Sequence, residues 1–310
     1  MKVLVTGGFG YIGSYVVTEL LGRGHEVGVV SRGKPDHLED ICRSVAFHRW
    51  DIRDPWPEPA FPRYDLMIHA AAANDIDCAD ADFALDVNVR GTRNCLEFCR
   101  AADIPRLIYF STFQVFGIGE GFVGEDDPAL CRNDYGITHF FAEEYVRMFS
   151  RNGAVESVIL RPTNVYGAPL HRDIDRWSLV PSCFCKEAFE QGSITLQSSG
   201  QQHRDFISVR ALASRTVAIA ENFKKLSGQT LTIGGGGSTT IIEVARLVQS
   251  VYERSFGKPC ALQVRSDAPA ESQSLIAEAT KLEKAGLGVE DKSSLEAEIA
   301  DIFTVLRGNE

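Results

Sequence analysis

The sequence predicts an α/β protein, built as a Rossmann-type doubly wound parallel sheet with a smaller C-terminal lobe. In the first half of the chain, short strands rich in β-branched residues alternate with helical segments, which is typical of right-handed crossovers in a parallel sheet. A glycine-rich turn joins the first predicted strand to the first helix. Beyond about residue 165 the alternation weakens, and prolines and glycines divide the chain into shorter pieces.

The predicted elements follow in order from the N-terminus. A buried strand at 3–5 leads into a helix at 11–23, and a second strand follows at 26–30. Later strands are predicted at 65–69, 106–110 and 155–160, and helices at 86–102, 135–151, 240–255 and 292–306. The glycine run at 234–237 follows a strand and precedes a helix, so we expect a loop there.

The length and composition are those of an ordinary globular protein. The chain has 310 residues, of which 44% are hydrophobic and 24% charged, so it can bury a large core and is neither disordered nor fibrous. Its formal net charge is −10, and long-range repulsion makes nucleic acid an unfavourable partner. A local basic pocket for one small anion is compatible with this charge.

The N-terminus and the cysteines bear on where the protein resides. The first apolar run is too short for a signal peptide, and no stretch reaches the ~20 apolar residues that span a bilayer. We therefore expect a cytoplasmic protein without membrane contact, whose eight cysteines are free thiols. No cysteine pair is accompanied by a second Cys or His pair at zinc-finger spacing, so no metal site is expected.

Gly7, Gly10 and Gly13 lie directly between the first strand and the first helix. Glycine accepts the positive φ of a tight turn and lets backbone N–H groups approach a pyrophosphate, which would sit at the positive end of the helix. The turn therefore predicts a dinucleotide-binding Rossmann domain over residues 1–165, to which segments around 205–235 return. Residues 166–310 are expected to form mainly a substrate-binding lobe.

The end of the second strand indicates which dinucleotide is bound. An NAD enzyme commonly has an acidic residue here to hold the adenosine ribose, whereas this chain has Ser31 and Arg32, followed by Lys34. A guanidinium suits a 2′-phosphate. NADP is therefore favoured, and NAD is the alternative because Arg32 could instead stack on adenine or face solvent.

Further motifs occur along the chain in a recognisable order. They are Thr6-Gly7-x-x-Gly10-x-x-Gly13, Asp51-Ile52, His69-Ala70-Ala71-Ala72, Asn88-Val89-x-Gly91-Thr92, Tyr135 and Arg161-Pro162-x-Asn164-Val165-Tyr166-Gly167. Together, from residue 1 to about 250, they resemble the extended short-chain dehydrogenase/reductase family, and within it the nucleotide-sugar epimerase/dehydratase branch.

The resemblance implies which residues hold the dinucleotide. Asp51 and Ile52 are expected to contact the adenine, and Asn88 to support the central helix. The complete expected set is Gly7, Phe9, Gly10, Tyr11, Ile12, Ser31, Arg32, Asp51, Ile52, Ala70, Ala71, Ala72, Asn88, Tyr135, His139 and Pro162.

The family places a Ser or Thr, a Tyr and a Lys around the reacting carbon. By this resemblance Thr112, next to Ser111, orients the sugar hydroxyl, and Tyr135 exchanges its proton as the acid/base. A phenol has a pKa near ~10, so it acts as a base at neutral pH only where a nearby cation stabilises its anion.

The lysine of this motif is replaced by His139. His139 lies four residues after Tyr135 on a predicted helix, so the two side chains share one face. An imidazole can hydrogen-bond the nicotinamide ribose and, when protonated, lower the pKa of Tyr135; we expect its charge at pH 7 to be partial. Three hypotheses follow: a working variant with His139 in the lysine role, a slowed or specialised enzyme, and a catalytically impaired dinucleotide-binding regulatory protein.

The residues after Thr112 bear on the reaction. The 4,6-dehydratases of this family carry an Asp-Glu pair where this chain has Phe113 and Gln114, neither of which exchanges protons near neutral pH. Dehydration is therefore disfavoured. The function predicted is an NAD(P)-dependent nucleotide-sugar epimerase, acting by reversible hydride transfer at a sugar carbinol carbon. An NADPH-dependent keto-sugar reductase is the alternative, which Arg32 favours.

The expected substrate is a nucleotide-sugar or another anionic sugar-like molecule. Arg204 lies in a segment that resembles the one whose arginine binds the diphosphate in epimerases, although an Arg204–Asp205 surface pair is the alternative. The predicted substrate contacts are Thr112, Phe113, Asn164 and Arg204. The family often supplies another arginine in the stretch 269–279, which has no basic residue here; Arg172, Arg176 and Lys186 could compensate.

Relatives dimerise through two helices that correspond to 86–102 and 135–151 here. The apolar residues of the second helix, Phe140, Phe141, Tyr145, Met148 and Phe149, are enough for both core and interface. A homodimer is therefore expected by resemblance.

Overall fold

A computed structural model describes residues 1–56, 62–265, 274–288 and 294–308. The strands are β1 Lys2–Thr6, β2 Glu26–Ser31, β3 Ala46–Arg49, β4 Leu66–His69, β5 Arg106–Phe110, β6 Gly121–Val123, β7 Glu156–Pro162, β8 Asn164–Tyr166, β9 Ser193–Leu196, β10 His203–Arg204, β11 Phe206–Ser208, β12 Thr230–Ile233, β13 Thr239–Thr240, β14 Ala261–Val264 and β15 Leu275–Ala277. The helices are α1 Tyr11–Gly22, α2 Glu39–Ser44, α3 Ala81–Ala84, α4 Gly91–Ala101, α5 Asp134–Arg151, α6 Val180–Gln191, α7 Val209–Glu221, α8 Phe223–Leu226, α9 Ile241–Phe256, α10 Thr280–Lys284 and α11 Leu295–Arg307.

The central feature is a seven-stranded parallel sheet in the order β12-β7-β5-β4-β1-β2-β3. The chain runs outward in one direction from β1 through β2 to β3 and then returns to place β4 on the other side of β1. This reversal is the topological switch point at which doubly wound sheets bind ligands, beyond the carboxyl ends of the strands. The predicted Rossmann-type fold class is confirmed.

Helices cover both faces of the sheet because its strands are apolar on both sides. On one face, α1 and α7 pack on the sheet through residues such as Leu20 and Val217. On the other face, α4 and α5 contribute Phe98 and Val146 to a second buried cluster. The carboxyl ends of the strands are thus held between two packed helical layers.

A separate core belongs to the C-terminal part of the chain. There α6, α9 and α11 pack together beside the parallel pair β9 and β14, around Phe184, Val248 and Phe303. Helix α9 begins with a capping box, in which Thr240 accepts from the N–H of Glu243 and the Glu243 carboxylate accepts from the N–H of Thr240.

Two tyrosines of α1 join this C-terminal part to the sheet. The Tyr11 hydroxyl donates to the Gly167 carbonyl oxygen at 2.9 Å, and the Tyr15 hydroxyl donates to that of Ala168 at 2.8 Å. Both tyrosines are buried. The segment that enters the C-terminal part is therefore anchored on the helix that follows the glycine turn.

The glycine run 234–237 is a loop, as predicted. The buried Asp205 carboxylate holds it by accepting from the N–H groups of Gly235, Gly236 and Gly237 at 2.8, 3.0 and 3.1 Å. It also accepts from the Thr163 hydroxyl at 2.5 Å. The interpretation of Asp205 as half of a surface pair with Arg204 is therefore wrong, because this carboxylate is a buried backbone acceptor.

The helix predicted at 86–102 is divided. A π-helical turn spans Leu85–Arg90, and α4 begins only at Gly91. A β-carbon at Gly91 would lie 2.7 Å from Ile52 Cδ1, so a larger residue here would displace the Ile52 side chain. The wider turn directs Asn88 inward, where its side chain accepts from the Ala73 N–H at 2.7 Å and donates to Thr138 Oγ1 at 3.0 Å. Such π-turns are common beside functional sites.

All eight cysteines are free in the structure. Cys131 and Cys183 are half-buried, and the other six are buried. Among the described residues, no helix combines the length and apolar character needed to cross a membrane.

Candidate active site

A cavity of about 860 Å³ opens at the carboxyl ends of β1, β2, β4 and β5. Eighteen of the residues selected from the sequence line it. They are Gly7, Phe9, Gly10, Tyr11, Ile12, Ser31, Arg32, Asp51, Ile52, Ala70, Ala71, Ala72, Thr112, Phe113, Tyr135, His139, Pro162 and Asn164. Residues separated by more than 150 positions in the chain therefore face one space at the switch point.

The glycine turn is shaped by close backbone contacts. Gly7 has φ +68°, and a β-carbon there would lie 2.8 Å from the Ala71 nitrogen. A β-carbon at Gly13 would lie 2.1 Å from the Gly7 oxygen. Gly10 precedes α1 without a capping side chain, and the first turn of α1 has no acidic residue. The helix start therefore presents backbone N–H groups and a positive partial charge to an anion.

Basic side chains surround the end of β2. Arg32 and Lys34 line the cavity, and Arg53 pairs with Asp51 at 2.6 Å. The bond from the Arg53 guanidinium holds the pKa of the Asp51 carboxyl below its ordinary value. Asp51 is thus a paired anion, and the charge of Arg32 also lowers its pKa. The end of β2 is followed by Arg32, where NAD enzymes commonly carry an acidic residue that binds the ribose diol.

The positions of Thr112 and Tyr135 are set by a 3-10 turn and by the start of α5, which are joined by a hydrogen bond. Thr112 caps a 3-10 turn at Phe113–Phe116 by accepting from the Gln114 N–H at 3.2 Å. Asn133 caps α5 by accepting from the Gly136 N–H at 2.8 Å, and its amide donates to Gln114 Oε1 at 3.0 Å. The first turn of α5, which carries Tyr135, is therefore fixed against the turn that follows Thr112.

His139 lies one helical turn beyond Tyr135, with the two ring centroids 4.7 Å apart and the rings nearly perpendicular. Its Nδ1 is 2.8 Å from the Tyr109 hydroxyl, and its buried Nε2 has no hydrogen-bond partner within the described part of the chain. Burial lowers the pKa of His139 to about 4. Removal from water thus disfavours the charged form of the ring, in contrast to the expectation of a partly charged imidazole at pH 7.

Another residue provides positive charge near Tyr135. Burial raises the pKa of Tyr135 above its ordinary value, while the charge of Arg176 and the hydrogen bond of Thr112 act in the opposite direction. Arg176 lines the cavity and lies 3.7 Å from Asp75, measured from guanidinium nitrogen to carboxylate oxygen. Sequence reasoning named Arg176 only as a substitute anion ligand, because its distance from Tyr135 along the chain conceals their proximity.

A buried ion pair stabilises the helix that carries Tyr135 and His139. Glu143 accepts from Arg161 Nε and Nη2 at 2.9 and 2.7 Å, and from the Ser111 hydroxyl at 2.6 Å. Burial raises the pKa of Glu143, but the Arg161 and Ser111 bonds outweigh it, so the pKa lies below its ordinary value. Sequence reasoning missed Glu143, although the spacing 135, 139, 143 places it on the same helix face.

Two predicted residues lie outside the cavity lining. Asn88 is buried behind it and holds the Ala73 backbone, as described above. Arg204 donates to the carbonyl oxygens of its neighbour His203 at 2.7 Å and of Gly119 at 3.5 Å. Its role as a substrate ligand stays a prediction. Of the stretch 269–279, residues 269–273 lie outside the described residues, and the described part, 274–279, has no basic side chain.

One group of potential metal ligands occurs within the described residues. His37, His171 and Asp173 place one ligand atom each within 4.8 Å of one another, at the rim of the cavity. The two imidazole rings stack with centroids 4.6 Å apart, and His171 Nδ1 already accepts from the Asp173 N–H at 3.2 Å. Ring stacking and this backbone bond account for the arrangement.

The residues at the cavity fit a dinucleotide. The glycine turn offers an uncapped helix start, Arg32 and Lys34 offer positive charge one strand away, and His139 Nε2 is a buried polar atom without a partner in the described chain. An unpaired buried polar atom is unfavourable unless a ligand completes its hydrogen bond. The residues that carry these three features all line the same cavity.

Comparisons with known proteins agree with this geometry. The family model described as "NAD dependent epimerase/dehydratase family" matches residues 3–234. A putative UDP-glucose 4-epimerase of Methanocaldococcus jannaschii is 29% identical over 253 residues, which cover 80% of this chain and 81% of the relative. A dTDP-4-dehydro-6-deoxy-D-allose reductase of Streptomyces bikiniensis is 25% identical, covering 90% of this chain and 89% of the relative.

Solved structures show the same fold. The crystal structure of UDP-glucuronic acid 4-epimerase from Bacillus cereus, in complex with UDP-glucuronic acid and NAD, superposes with a TM-score of 0.82. The identity is 24%, and the superposition covers 99% of each chain.

Proposed function

Since the chain belongs to the NAD dependent epimerase/dehydratase family, we propose that it is an NAD(P)-dependent nucleotide-sugar epimerase. The observation that carries this proposal is the convergence of Thr112, Tyr135 and His139 on one cavity with the glycine turn. An acid/base residue, a hydroxyl that can orient the reacting oxygen and a dinucleotide site are the parts that such a reaction needs.

The dinucleotide would lie across the switch point. Backbone N–H groups at the start of α1 would hold the pyrophosphate, and Asp51 with Ile52 would border the adenine. Arg32 and Lys34 support NADP, because two cations with no acidic ribose ligand in the strand favour a 2′-phosphate. A bound nicotinamide supplies a two-electron acceptor and donor at one ring carbon.

Tyr135 would move the proton of the reacting hydroxyl. At neutral pH its phenol is protonated, because burial raises its pKa. It can therefore protonate the oxygen of a keto-sugar directly. For oxidation it must release its proton, and Arg176 and Thr112 favour the phenolate. Thr112 would orient the same sugar oxygen through its hydroxyl.

Dehydration is the reaction that the site supports least. Phe113 and Gln114 both line the cavity next to Thr112, where a dehydratase needs a proton-exchanging pair. An aromatic ring and an amide neither donate nor accept protons near neutral pH. Phe113 would instead give the sugar ring an apolar surface.

A keto-sugar reductase is the second candidate. A protonated Tyr135 suits the reductive direction, and the cationic end of β2 suits NADPH, which a reductase consumes. The reductase relative from Streptomyces bikiniensis matches 90% of this chain over 89% of its own length. An epimerase, by contrast, regenerates its dinucleotide in each turnover.

The substrate would be an anionic sugar, most naturally a nucleotide-sugar, as in the names of the relatives. Arg176, in the cavity wall, would bind the anionic group of this substrate, and Asn164 on β8 would add a polar contact. Arg204 would contact the substrate only if its guanidinium moved away from the Gly119 carbonyl oxygen, to which it donates here.

The test is turnover with a panel of UDP- and dTDP-sugars, with NAD⁺ or NADP⁺ for epimerisation and with NADPH for the corresponding 4-keto-sugars. Product identity is read by chromatography and mass spectrometry. Epimer formation without net change in dinucleotide absorbance supports the epimerase, and stoichiometric NADPH consumption supports the reductase. Tyr135→Phe should reduce either activity by at least about a hundredfold. Dinucleotide binding without turnover on any sugar would favour the regulatory protein.

A further inference from the structure

A row of buried polar side chains lies behind His139. Its members are Tyr109, Thr92, His69 and Thr6, each no more than 1% exposed. The Tyr109 hydroxyl is 2.8 Å from His139 Nδ1. His69 is 3.0 Å from Thr92 Oγ1 through Nε2 and 2.6 Å from Thr6 Oγ1 through Nδ1. Because these groups are buried, each proton in the row must have an acceptor.

The directions of these hydrogen bonds follow from Thr92. Its hydroxyl donates to the Asn88 carbonyl oxygen at 2.6 Å, so towards His69 it acts as an acceptor. Burial lowers the pKa of His69 to about 3, so that ring is neutral and carries one proton, on Nε2. His69 Nδ1 then accepts from Thr6.

The proton of Tyr109 is assigned by the same reasoning. Thr92, which donates to Asn88 and accepts from His69, is a second neighbour of the Tyr109 hydroxyl. The short hydrogen bond of this hydroxyl is the one to His139 Nδ1 at 2.8 Å, so we assign the Tyr109 proton to that nitrogen. A neutral histidine that accepts at Nδ1 carries its proton on Nε2. This Nε2 is the atom without a partner in the described chain, on a side chain that lines the cavity.

We infer that Tyr109 is a positioning residue, which holds His139 as the Nε2–H tautomer so that its unpartnered N–H donates to an oxygen of the bound dinucleotide. The identification of the acceptor as a dinucleotide oxygen, on the nicotinamide ribose, rests on the proposed function; the tautomer does not. The Tyr109–His139 pair would thus supply the hydrogen bond of the missing lysine without its charge. The cation near Tyr135 is then Arg176, which belongs to a different part of the chain.

The tautomer can be measured on the wild-type protein. In ¹⁵N-labelled protein at pH 7 without ligand, long-range ¹H–¹⁵N correlation spectra distinguish Nε2–H, Nδ1–H and doubly protonated rings. The His139→Gln variant assigns the His139 signals by their loss. We expect the Nε2–H pattern throughout pH 6–8. A ring protonated on Nδ1, or on both nitrogens at pH 7, would overturn the inference.

Tyr109→Phe removes the hydroxyl that fixes the proton. We expect the His139 signals to move towards an average of both tautomers, and NADPH to bind about fivefold more weakly in fluorescence titration. Tyr64→Phe is the matched control, because it removes the same hydroxyl from His48 Nε2, a 2.7 Å pair outside the cavity lining. The control should leave the His139 signals and NADPH binding unchanged.

The two levels of the inference fail separately. Unchanged tautomer signals in Tyr109→Phe would refute the positioning role, whatever the protein binds. A protein that shows the Nε2–H pattern but binds neither NADPH nor NADH would retain the tautomer and contradict the proposed function instead.

Discussion

At the scale of single residues, the acid/base chemistry depends on where positive charge lies relative to the Tyr135 hydroxyl. A lysine at position 139 would place a full charge on the same helix face, whereas His139 is neutral at pH 7 because burial lowers its pKa to about 4. Arg176, which also lines the cavity, favours the Tyr135 phenolate through its charge. In the proposed site, the charge and the hydrogen-bond donor of one lysine would therefore be divided between two residues.

Arg176→Gln removes the charge and keeps a polar side chain. Oxidation needs the Tyr135 phenolate, so its rate rises with pH towards the pKa of Tyr135. We expect the profile of kcat/KM for oxidation to move upward by up to about one pH unit, which is about tenfold slower turnover at pH 8. Arg172→Gln is the control, from an exposed residue of the same loop outside the lining. Equal shifts in both variants would contradict a specific role.

His139→Lys tests the converse change. An ammonium group at this position should lower the pKa of Tyr135 and speed oxidation at pH 7 about tenfold, for a shift of one unit. Wild-type activity should show no limb from imidazole protonation between pH 5 and 8, because the pKa of His139 is about 4. A wild-type limb with a midpoint near pH 6.5 would mean that the ring is charged as the sequence suggests.

At the scale of elements, α5 is fixed to the sheet by one buried carboxylate. Glu143 is fully buried and joins α5 to Arg161 on β7 and to Ser111 after β5. The helix that carries Tyr135 and His139 therefore has a defined rotation relative to the strands. Arg147 also pairs with Glu143, at 2.6 Å, one turn further along. Tyr135, His139, Glu143 and Arg147 follow at four-residue spacing and therefore share one face of α5.

Glu143→Gln should cost about 3–5 kcal/mol of unfolding free energy at pH 7, because it leaves the buried Arg161 without its anion. The folded-state pKa of Glu143 is lowered, so its stabilisation is present above the unfolded value near ~4.5 and is lost as pH falls through the folded value. The gap between wild type and variant should narrow below pH 4.5 in urea titrations. Glu144→Gln, at an exposed neighbour, should cost at most about 1 kcal/mol.

At the scale of the whole molecule, one helical face exposes three large apolar side chains. Leu85, Phe141 and Met148 are exposed by 41%, 44% and 38%. A small cavity of about 250 Å³ lies on this face, lined by Leu85, Val89 and Tyr145 together with the charged residues Asp86, Arg90 and Arg93. The three exposed apolar residues lie on the π-helical turn before α4 and on α5, the segments through which the sequence predicts a homodimer. A second copy of the chain would cover this face.

Phe141→Glu introduces a charge into this face and should convert a dimer into a monomer, since an unpaired buried carboxylate is strongly unfavourable. Light scattering coupled to size-exclusion chromatography measures the mass directly. Phe122→Glu is the control, because Phe122 is 64% exposed on β6 and belongs to neither helix. A wild-type protein that is monomeric at all concentrations would refute the predicted homodimer.

The sequence predicts most of the sheet and the cavity, because both depend on local patterns. Gly7, Gly10 and Gly13 are informative on their own, since a strand-to-helix turn leaves few other uses for glycines at this spacing. The charge state of His139 cannot be predicted in this way, because it depends on burial and on Tyr109, 30 positions away. The same holds for Arg176, whose effect on Tyr135 arises only when a loop of the C-terminal part folds over the strand ends.

The buried free cysteines can report when each part of this molecule unfolds. Buried thiols react with alkylating reagents only after local unfolding, and Cys95 and Cys99 lie under the sheet while Cys185 and Cys260 lie in the C-terminal core. Peptide mapping after timed labelling would therefore measure the rate at which the cysteines of each core become exposed. The order in which the cysteines of the two cores react, with and without dinucleotide, would show whether the two cores unfold together or one after the other.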